Sequence, residues 1–272
     1  MEKNPEVIQA SAADRYATPV FLIHDGGGTT FAYHCLDPLD RPVYGIFNPY
    51  FHTGEGFEGG ICGMARLYAK IIRHAAADPD FPAQRDSGGR ANILIGGWSL
   101  GGLLALEVAK ILTGDRGVRI IGALMMDSIY PVNPPSTVRL GALDDMVAGE
   151  KSKNEVLTLQ AMKEALQVIQ KWTPPVWAGK QISQRPRFSL LRALDFMPAT
   201  GIDGVHPADI HRSDPTLGWD SYDTSLFTDV EDVPGTHFEM FSLQHVEGLS
   251  KTVKRCLDRL DLLFRLSLSR SK

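Results

Sequence analysis

The sequence predicts an α/β fold in which helices cover both faces of a mostly parallel central sheet. Short apolar runs alternate with helical segments, as strands joined by crossover helices do. Most of these runs lack regular polar alternation, which is typical of strands buried on both faces. The composition, with 43% hydrophobic and 22% charged residues, is that of an ordinary globular protein. The predicted strands are Val20–Ile23, Val43–Phe47, Ile93–Gly96, Ile120–Met126 and Phe188–Leu194.

Helical segments lie between these strands and near the end of the chain. Met64–Ala75 and Leu100–Leu112 have helical patterns. The second is apolar on nearly all sides, so we expect it at the centre of the molecule. The amphipathic run Val246–Leu266 predicts a C-terminal helix. A chain of 272 residues can form one α/β unit with a single core, so we predict a single domain over residues 1–272.

The alternation of strands and helices stops after Tyr130. A segment rich in proline leads from there into an amphipathic stretch, Asn154–Lys171. An insertion of roughly fifty residues between two strands is too long for an ordinary connection and indicates helices of its own. We therefore expect residues 131–185 to form a helical lid on the domain.

Charge and cysteine content exclude several classes of function. A formal charge of −4 and a pI near 6.1 leave no excess of positive charge for nucleic acid or an anionic lipid surface. The first residues, Met1 to Tyr16, lack the features of an export signal, and no apolar run reaches membrane-spanning length. Three widely spaced cysteines indicate neither a disulfide framework nor a zinc cluster. We expect a cytoplasmic protein that binds neither nucleic acid nor membrane.

The strongest chemical signal is a serine flanked by glycines between a strand and a helix. Residues 97–101 (Gly-Trp-Ser-Leu-Gly) connect a predicted strand to the long apolar helix. A serine on such a sharp turn has strained backbone geometry, so the residues two before and two after it must be nearly free of side chain. The pattern is typical of a nucleophile elbow with Ser99 as the nucleophile. The Leu100 amide, at the helix N-terminus, is then a candidate donor to an oxyanion.

A serine nucleophile needs a histidine to take its proton and an acid to orient that histidine. On this fold the chain order is serine, acid, histidine. The histidines that follow Ser99 with room for an acid between are His206, His211, His237 and His245. His237 is favoured, because Val230–Val233 predicts a short strand and the turn after it would hold a histidine at the strand's carboxyl end. His206 and His211 lie in a polar, Asp-rich stretch and are expected to be solvated.

Two aspartates compete for the role of the acid. Asp127 ends the predicted strand Ile120–Met126, and Asp195 ends the predicted strand Phe188–Leu194. Either carboxylate could reach the histidine, and the periodicity of the sequence does not decide between them. The aspartate that is not used would cap a turn or a helix.

A glycine-rich loop follows the first predicted strand. Residues 24–28 (His-Asp-Gly-Gly-Gly) allow backbone amides to approach a ligand closely. The loop therefore suits a second oxyanion donor, at Asp25 or Gly26, and the alternative is a plain flexible turn. His24 precedes Ser99 in the chain, so we expect it to pack or to form hydrogen bonds rather than to act as the base.

Four segments together resemble a known family. They are residues 21–28 (Phe-Leu-Ile-His-Asp-Gly-Gly-Gly), 96–102 (Gly-Gly-Trp-Ser-Leu-Gly-Gly), 123–128 (Ala-Leu-Met-Met-Asp-Ser) and 235–238 (Gly-Thr-His-Phe). With them the chain resembles the fungal members of the thioesterase family of polyketide synthase and nonribosomal peptide synthetase assembly lines. The resemblance implies the α/β-hydrolase fold. It also implies Asp127 rather than Asp195 as the acid, because in this family the acid follows the strand directly after the elbow helix.

The resemblance implies a reaction and its partners as well. Serine attacks an acyl chain held as a phosphopantetheine thioester on an acyl or peptidyl carrier protein, and water or an internal nucleophile resolves the acyl-enzyme. No metal or organic cofactor is expected. No carrier or condensation domain accompanies the sequence, so we expect a free-standing enzyme that acts in trans. Two alternatives stay open: an esterase or acyltransferase that passes the acyl group to an alcohol, and a non-catalytic partner that only binds a carrier protein.

Overall fold

One central sheet of seven strands organises the described part of the chain. The computed structural model describes residues 3–10, 17–131, 152–198 and 205–269. The strands are β1 Glu6–Gln9, β2 Val20–Ile23, β3 Val43–Ile46, β4 Ala91–Trp98, β5 Val118–Met126, β6 Arg187–Ala193 and β7 Phe227–Val233. Their order across the sheet is β1-β3-β2-β4-β5-β6-β7, with β1 antiparallel to β3 and the other neighbours parallel. The prediction of an α/β fold with a mostly parallel sheet is confirmed.

Helices cover both faces of this sheet. They are α1 Phe31–His34, α2 Gly60–Ala77, α3 Leu100–Ile111, α4 Lys153–Gln170 and α5 Val246–Ser269. In β2, Phe21 and Ile23 pack in the core shared with α2 and α3, whereas Val20 and Leu22 pack in the core shared with α1 and α5. Both faces are therefore apolar, which explains why the strands show no polar alternation. None of the described helices is both long enough and apolar enough to cross a membrane.

The two edge strands left weaker signals in the sequence than the central ones. Strand β1 was not predicted, because it has four residues, begins and ends with polar side chains and pairs only with β3. At the other edge, β7 begins three residues before the predicted Val230–Val233. Its residues alternate between half-buried and exposed until the buried Val233. Edge strands expose one face and one side to water, so a short apolar run is not required there.

The predicted insertion contains helix α4 in its described part, while residues 132–151 lie outside the described residues. Helix α4 begins with a capping box, in which the Ser152 side chain accepts from the Glu155 amide and the Glu155 side chain accepts from the Ser152 amide. The helix lies over the glycine-rich loop, because a Cβ on Gly27 would be 3.1 Å from Thr158 Cγ2. It also accepts a hydrogen bond of 3.1 Å from the Phe57 amide through Glu164 Oε1.

The parallel arrangement brings the predicted site residues to one edge of the sheet. The glycine-rich loop follows β2, Ser99 follows β4, Asp127 follows β5, and the turn that carries His237 follows β7. Carboxyl ends of parallel strands lie at the same edge, which is where open α/β sheets bind ligands.

Candidate active site

Ser99 is the single residue between strand β4 and helix α3. Its backbone has φ 56° and ψ −118°, a region that residues other than glycine rarely adopt because of steric strain. A Cβ on Gly97 would lie 2.5 Å from the carbonyl carbon of Gly101. A Cβ on Gly101 would lie 2.3 Å from the carbonyl oxygen of Ile23. Both positions therefore require glycine, because a side chain at either one would collide with the neighbouring backbone.

His237 joins Ser99 to Asp127 through its two ring nitrogens. Its Nε2 lies 3.1 Å from Ser99 Oγ, and its Nδ1 lies 2.7 Å from Asp127 Oδ2. Because a carboxylate only accepts, Nδ1 donates to Asp127, and in the neutral ring Nε2 is then free to accept from the Ser99 hydroxyl. The His237 side chain is 7% exposed, and its ring centroid lies 5.4 Å from that of Trp98. The structure thus brings the three predicted side chains into one hydrogen-bonded series.

The Asp127 carboxylate is completely buried and is held from several directions. Oδ1 accepts from the Ala193 amide at 2.8 Å, and Arg212 donates to both carboxylate oxygens, at 2.5 Å and 2.7 Å. Burial alone would raise the pKa of Asp127, but the hydrogen bonds from His237 and Arg212 outweigh it and lower the pKa to about 2. The carboxylate is therefore ionised at neutral pH, as an acid that stabilises a protonated imidazole must be.

Arg212 is a site residue that the sequence did not reveal. It lies in the polar stretch that was expected to be solvated, and the structure corrects that expectation. Arg212 is fully buried, while His206 and His211 are half-buried, with burial lowering the pKa of each. A single arginine among polar residues gives no local sign of burial, because its partner Asp127 lies 85 residues away in the chain.

Asp195, the other candidate acid, lies beside the histidine turn without a hydrogen bond to His237 among the described contacts. Its side chain is exposed, and its Oδ2 accepts from the Gly235 amide at 3.0 Å. The Asp195 amide in turn donates to the Gly235 carbonyl at 3.1 Å. Asp195 therefore braces the turn before His237, and the carboxylate that meets the imidazole belongs to Asp127.

Three backbone amides face this edge as possible oxyanion donors. Leu100 opens helix α3, so its amide has no partner one turn earlier in the helix. In the loop after β2, the amides of His24, Gly27 and Gly28 are all bonded to protein acceptors. Among the described contacts, the amides of Asp25 and Gly26 have no acceptor from another residue, although the Asp25 amide interacts with its own carboxylate. This loop touches the start of α3, because a Cβ on Gly101 would lie 2.8 Å from the His24 carbonyl oxygen.

His24 and Asp25 differ in what the structure does with them. His24 is buried, with Nδ1 2.6 Å from the Asp25 carbonyl oxygen and Nε2 2.6 Å from the Tyr68 hydroxyl. Burial lowers the pKa of His24 to about 4, so it is a neutral packing residue. Asp25 is half-buried in the glycine-rich loop, and burial raises its pKa to about 6. Its Oδ1 accepts from the Gly27 amide at 2.9 Å.

The one group of potential metal ligands among the described residues lies away from this site. Asp229, Glu231 and Cys256 place ligand atoms within 4.8 Å of one another. The two carboxylates are already paired with Arg255 and Arg259. Burial raises the pKa of the Cys256 thiol to about 12, which disfavours the thiolate that binds metals. The group is an ion-pair network between β7 and α5.

Comparisons with known proteins agree on one family. The chain is 34% identical to a protein named probable thioesterase gloN from Glarea lozoyensis, over 96% of this chain and 99% of that one. It is 33% identical to thioesterase frbD from Dothideomycetidae sp., over 95% and 94% of the two chains. It also aligns over 96% of its length, at 28% identity, with 8% of the nonribosomal peptide synthetase imqB from Aspergillus flavus.

Solved structures show the same fold. The crystal structure of the NocB thioesterase domain in covalent complex with a fluorophosphonate nocardicin G analog superposes with a TM-score of 0.65. It is 24% identical, and the match covers 88% of this chain and 94% of that one. No protein-family model matches the sequence. Full-length relatives above 30% identity, together with this fold, show that the chain belongs to the thioesterase family of polyketide and nonribosomal peptide assembly lines and is a hydrolase with the α/β-hydrolase fold.

Proposed function

We propose that this enzyme releases an acyl chain from the phosphopantetheine thioester of an acyl or peptidyl carrier protein, with Ser99 as the nucleophile. The observation that carries the proposal is the series Ser99–His237–Asp127, with contacts of 3.1 Å and 2.7 Å. Those distances are within the range required for proton transfer and for orienting the base. The thioester preference rests on the family to which the chain belongs.

The acylation step uses each of these side chains once. Ser99 Oγ attacks the thioester carbonyl carbon while its proton passes to His237 Nε2, and Asp127 stabilises the resulting imidazolium. Collapse of the tetrahedral intermediate breaks the C–S bond, and the imidazolium protonates the departing sulfur. The products of this half-reaction are acyl-Ser99 and the free pantetheine thiol.

Deacylation repeats the sequence with a different nucleophile. His237 takes a proton from water, or from a hydroxyl or amine of the acyl chain itself, as that group attacks acyl-Ser99. Water gives a free acid, and an internal nucleophile gives a cyclic product. His237 returns the proton to Ser99 Oγ as the ester bond breaks. No resident cofactor takes part in either half-reaction.

The oxyanion of both intermediates would be held by backbone amides from two loops. Leu100 supplies one donor from the N-terminus of α3, where the helix dipole also favours negative charge. Asp25 or Gly26 supplies the second, and this role is supported by the fact that no other described residue accepts from these two amides. Removing one such donor in a serine hydrolase lowers kcat by roughly 10²- to 10³-fold.

We also propose that residues 131–185 act as a lid on a single domain spanning residues 1–272. Support comes from the position of α4, whose Ala165 Cβ would be 3.5 Å from a Cβ on Gly26. The helix therefore lies directly over the loop that is proposed to bind the oxyanion. Of its residues only Ala165 is buried, so the helix has few apolar contacts to separate if it moves.

Intact-protein mass spectrometry tests the proposed reaction. The protein is incubated with acyl-N-acetylcysteamine thioesters of several chain lengths, and the expected result is a mass increase of one acyl group. Ser99→Ala should show no adduct and no turnover. Ser225→Ala is the matched control, because Ser225 is an exposed serine whose hydroxyl donates to Asp223 Oδ1 at 2.7 Å and has no place in the hydrogen-bonded series. Turnover that persists in Ser99→Ala would refute the proposal.

Matched oxygen esters and alcohol acceptors separate the remaining alternatives. Faster acylation by oxygen esters than by thioesters, or transfer of the acyl group to an added alcohol in preference to water, would indicate an esterase or an acyltransferase. Failure of every ester, together with failure of a fluorophosphonate to label Ser99, would indicate a protein that only binds its carrier.

A further inference from the structure

Arg212 is a completely buried cation in which every donor is used. A guanidinium has five N–H groups. Its Nε donates to Asp209 Oδ1 at 3.1 Å, and two further N–H groups donate to the Asp127 carboxylate. The remaining two donate to the carbonyl oxygens of Ala193 and Ala208, each at 2.9 Å. A buried charge with this degree of satisfaction is fixed in position, because any rotation would break several hydrogen bonds at once.

The contacts of Arg212 determine how Asp127 meets His237. Oδ1 of Asp127 accepts from Arg212 and from the Ala193 amide, while Oδ2 accepts from Arg212 and from His237. A carboxylate offers about four acceptor positions, and here all of them are filled. The plane of the carboxylate is therefore set by Arg212 and Ala193, and the fourth position accepts from Nδ1 of the imidazole.

Asp209 balances the charge that Arg212 brings to the site. A cation bonded to both oxygens of Asp127 would weaken the carboxylate's attraction for a protonated imidazole. Asp209 is itself buried and also accepts from the Met197 amide at 2.7 Å. The three groups Asp127, Arg212 and Asp209 together carry one negative charge, the same as a lone carboxylate.

We propose that Arg212 is a positioning residue that holds Asp127 in line with His237, and that Asp209 restores the negative charge which Arg212 would otherwise cancel. The acid of the site is then a unit of two carboxylates and one guanidinium. This inference rests on the proposed function, since it assigns these residues to the base that activates Ser99.

The test measures the rate at which a fluorophosphonate labels Ser99 as a function of pH, which requires no knowledge of the natural substrate. The rate rises with pH as the base that accepts the Ser99 proton becomes neutral. Asp25 and His206 also interact electrostatically with His237. Burial raises the pKa of Asp25 to about 6, so its own titration would overlap the profile. The parent protein of this series therefore carries Asp25→Asn, and every further variant is made in that background. His206 is the same in all of them.

Opposite shifts are expected for the two charge variants. Arg212→Gln leaves two carboxylates near the imidazole, so the midpoint of the labelling profile should move up by about one pH unit. Asp209→Asn leaves the cation unbalanced, so the midpoint should move down by a similar amount. The double variant Arg212→Gln/Asp209→Asn has the same net charge as the parent, and the midpoint of its labelling profile should return close to the parent's. The maximal labelling rate of this double variant should still be about tenfold below the parent's, because Asp127 is no longer held in line with His237.

Arg212→Lys tests positioning apart from charge. Lysine keeps the charge but not the planar fork, so the maximal rate should fall by about tenfold with little change in midpoint. Arg73→Gln is the matched control, because Arg73 makes an ion pair with Asp115 at 2.7 Å and its side chain is 42% exposed. It should leave both rate and midpoint unchanged. Thermal unfolding of each variant identifies those that fold. If Arg212→Gln does not fold, Asp209→Asn and Arg212→Lys decide the test.

A purely structural role for Arg212 gives a different result. The folded variants would then label with the parent's midpoint and maximal rate and would differ only in unfolding temperature, which would overturn the inference. The proposed function would fail separately, by the absence of any Ser99 labelling in the parent protein.

Discussion

Strands β5 and β6 lie side by side, and an aspartate follows each of them, Asp127 one residue after β5 and Asp195 two residues after β6. The two carboxylates have opposite surroundings. Asp127, after β5, is completely buried, has a positive φ of 47°, and accepts four hydrogen bonds. Asp195, after β6, is exposed and accepts one hydrogen bond, from Gly235, among the described contacts.

The difference separates the proposed acid of the site from a residue that braces a turn. Both aspartates lie within two residues of the carboxyl end of a strand, so position along the chain does not separate them. Asp127 is set apart by burial with a cation and an imidazole, which lowers its pKa and directs one oxygen at His237. Asp195 has no described contact with the imidazole and instead holds the turn that carries His237.

Neutralising each carboxylate in turn should give the largest contrast. Asp127→Asn should lower kcat on a thioester substrate by about 10⁴-fold, because an amide at this position no longer fixes the imidazole tautomer or stabilises its charge. Asp195→Asn should lower kcat by less than about tenfold, since its loss disturbs only a turn. Steady-state kinetics on both variants measures the contrast, and equal losses would show that the two residues share the role.

The same pair should differ in stability. At pH 7, Asp127→Asn should lower the free energy of unfolding by roughly 3 kcal/mol, because it leaves Arg212 buried without its main partner. Asp195→Asn, on the surface, should stay within about 0.5 kcal/mol of the parent. Urea unfolding at equilibrium measures both values.

The pH dependence of that stability difference has a definite sign. The folded protein lowers the pKa of Asp127 from 3.8 to about 2, so the ionised form stabilises the fold. This stabilisation is complete above the unfolded value and is lost as the pH falls through about 2. The gap between the parent and Asp127→Asn should therefore narrow between about pH 4 and pH 2, and a gap that stays constant would contradict the account.

A third carboxylate, Asp25, sharpens the comparison with a smaller effect. Burial raises its pKa to about 6, so it is neutral below that pH and ionised above it. An ionised carboxylate in the proposed oxyanion loop opposes the developing negative charge. Asp25→Asn should therefore increase the rate of Ser99 acylation by a few-fold above about pH 7 and have little effect below about pH 5. A decrease at high pH would show that the carboxylate has another role.

Features with a local pattern could be predicted from the sequence, and features that depend on distant contacts could not. The elbow was predictable because the sharp turn at Ser99 requires glycine two residues before and two residues after it. The central strands were predictable because both their faces are apolar. Strand β1 is too short and polar to leave such a pattern. Arg212 owes its burial to Asp127, 85 residues earlier in the chain. The local pattern favoured neither Asp127 nor Asp195; the family resemblance implied Asp127, and the structure shows that it is Asp127 that contacts His237.

The most direct test of the account is to locate a covalent adduct at the level of peptides. Trypsin should release Ala91–Lys110, in which Ser99 is the only serine, threonine, cysteine or tyrosine. After a short incubation with an acyl thioester and quenching in acid, the account predicts one acyl group on this peptide in the parent protein and none in Ser99→Ala. An acyl group that forms on another peptide while Ala91–Lys110 remains unmodified would contradict it.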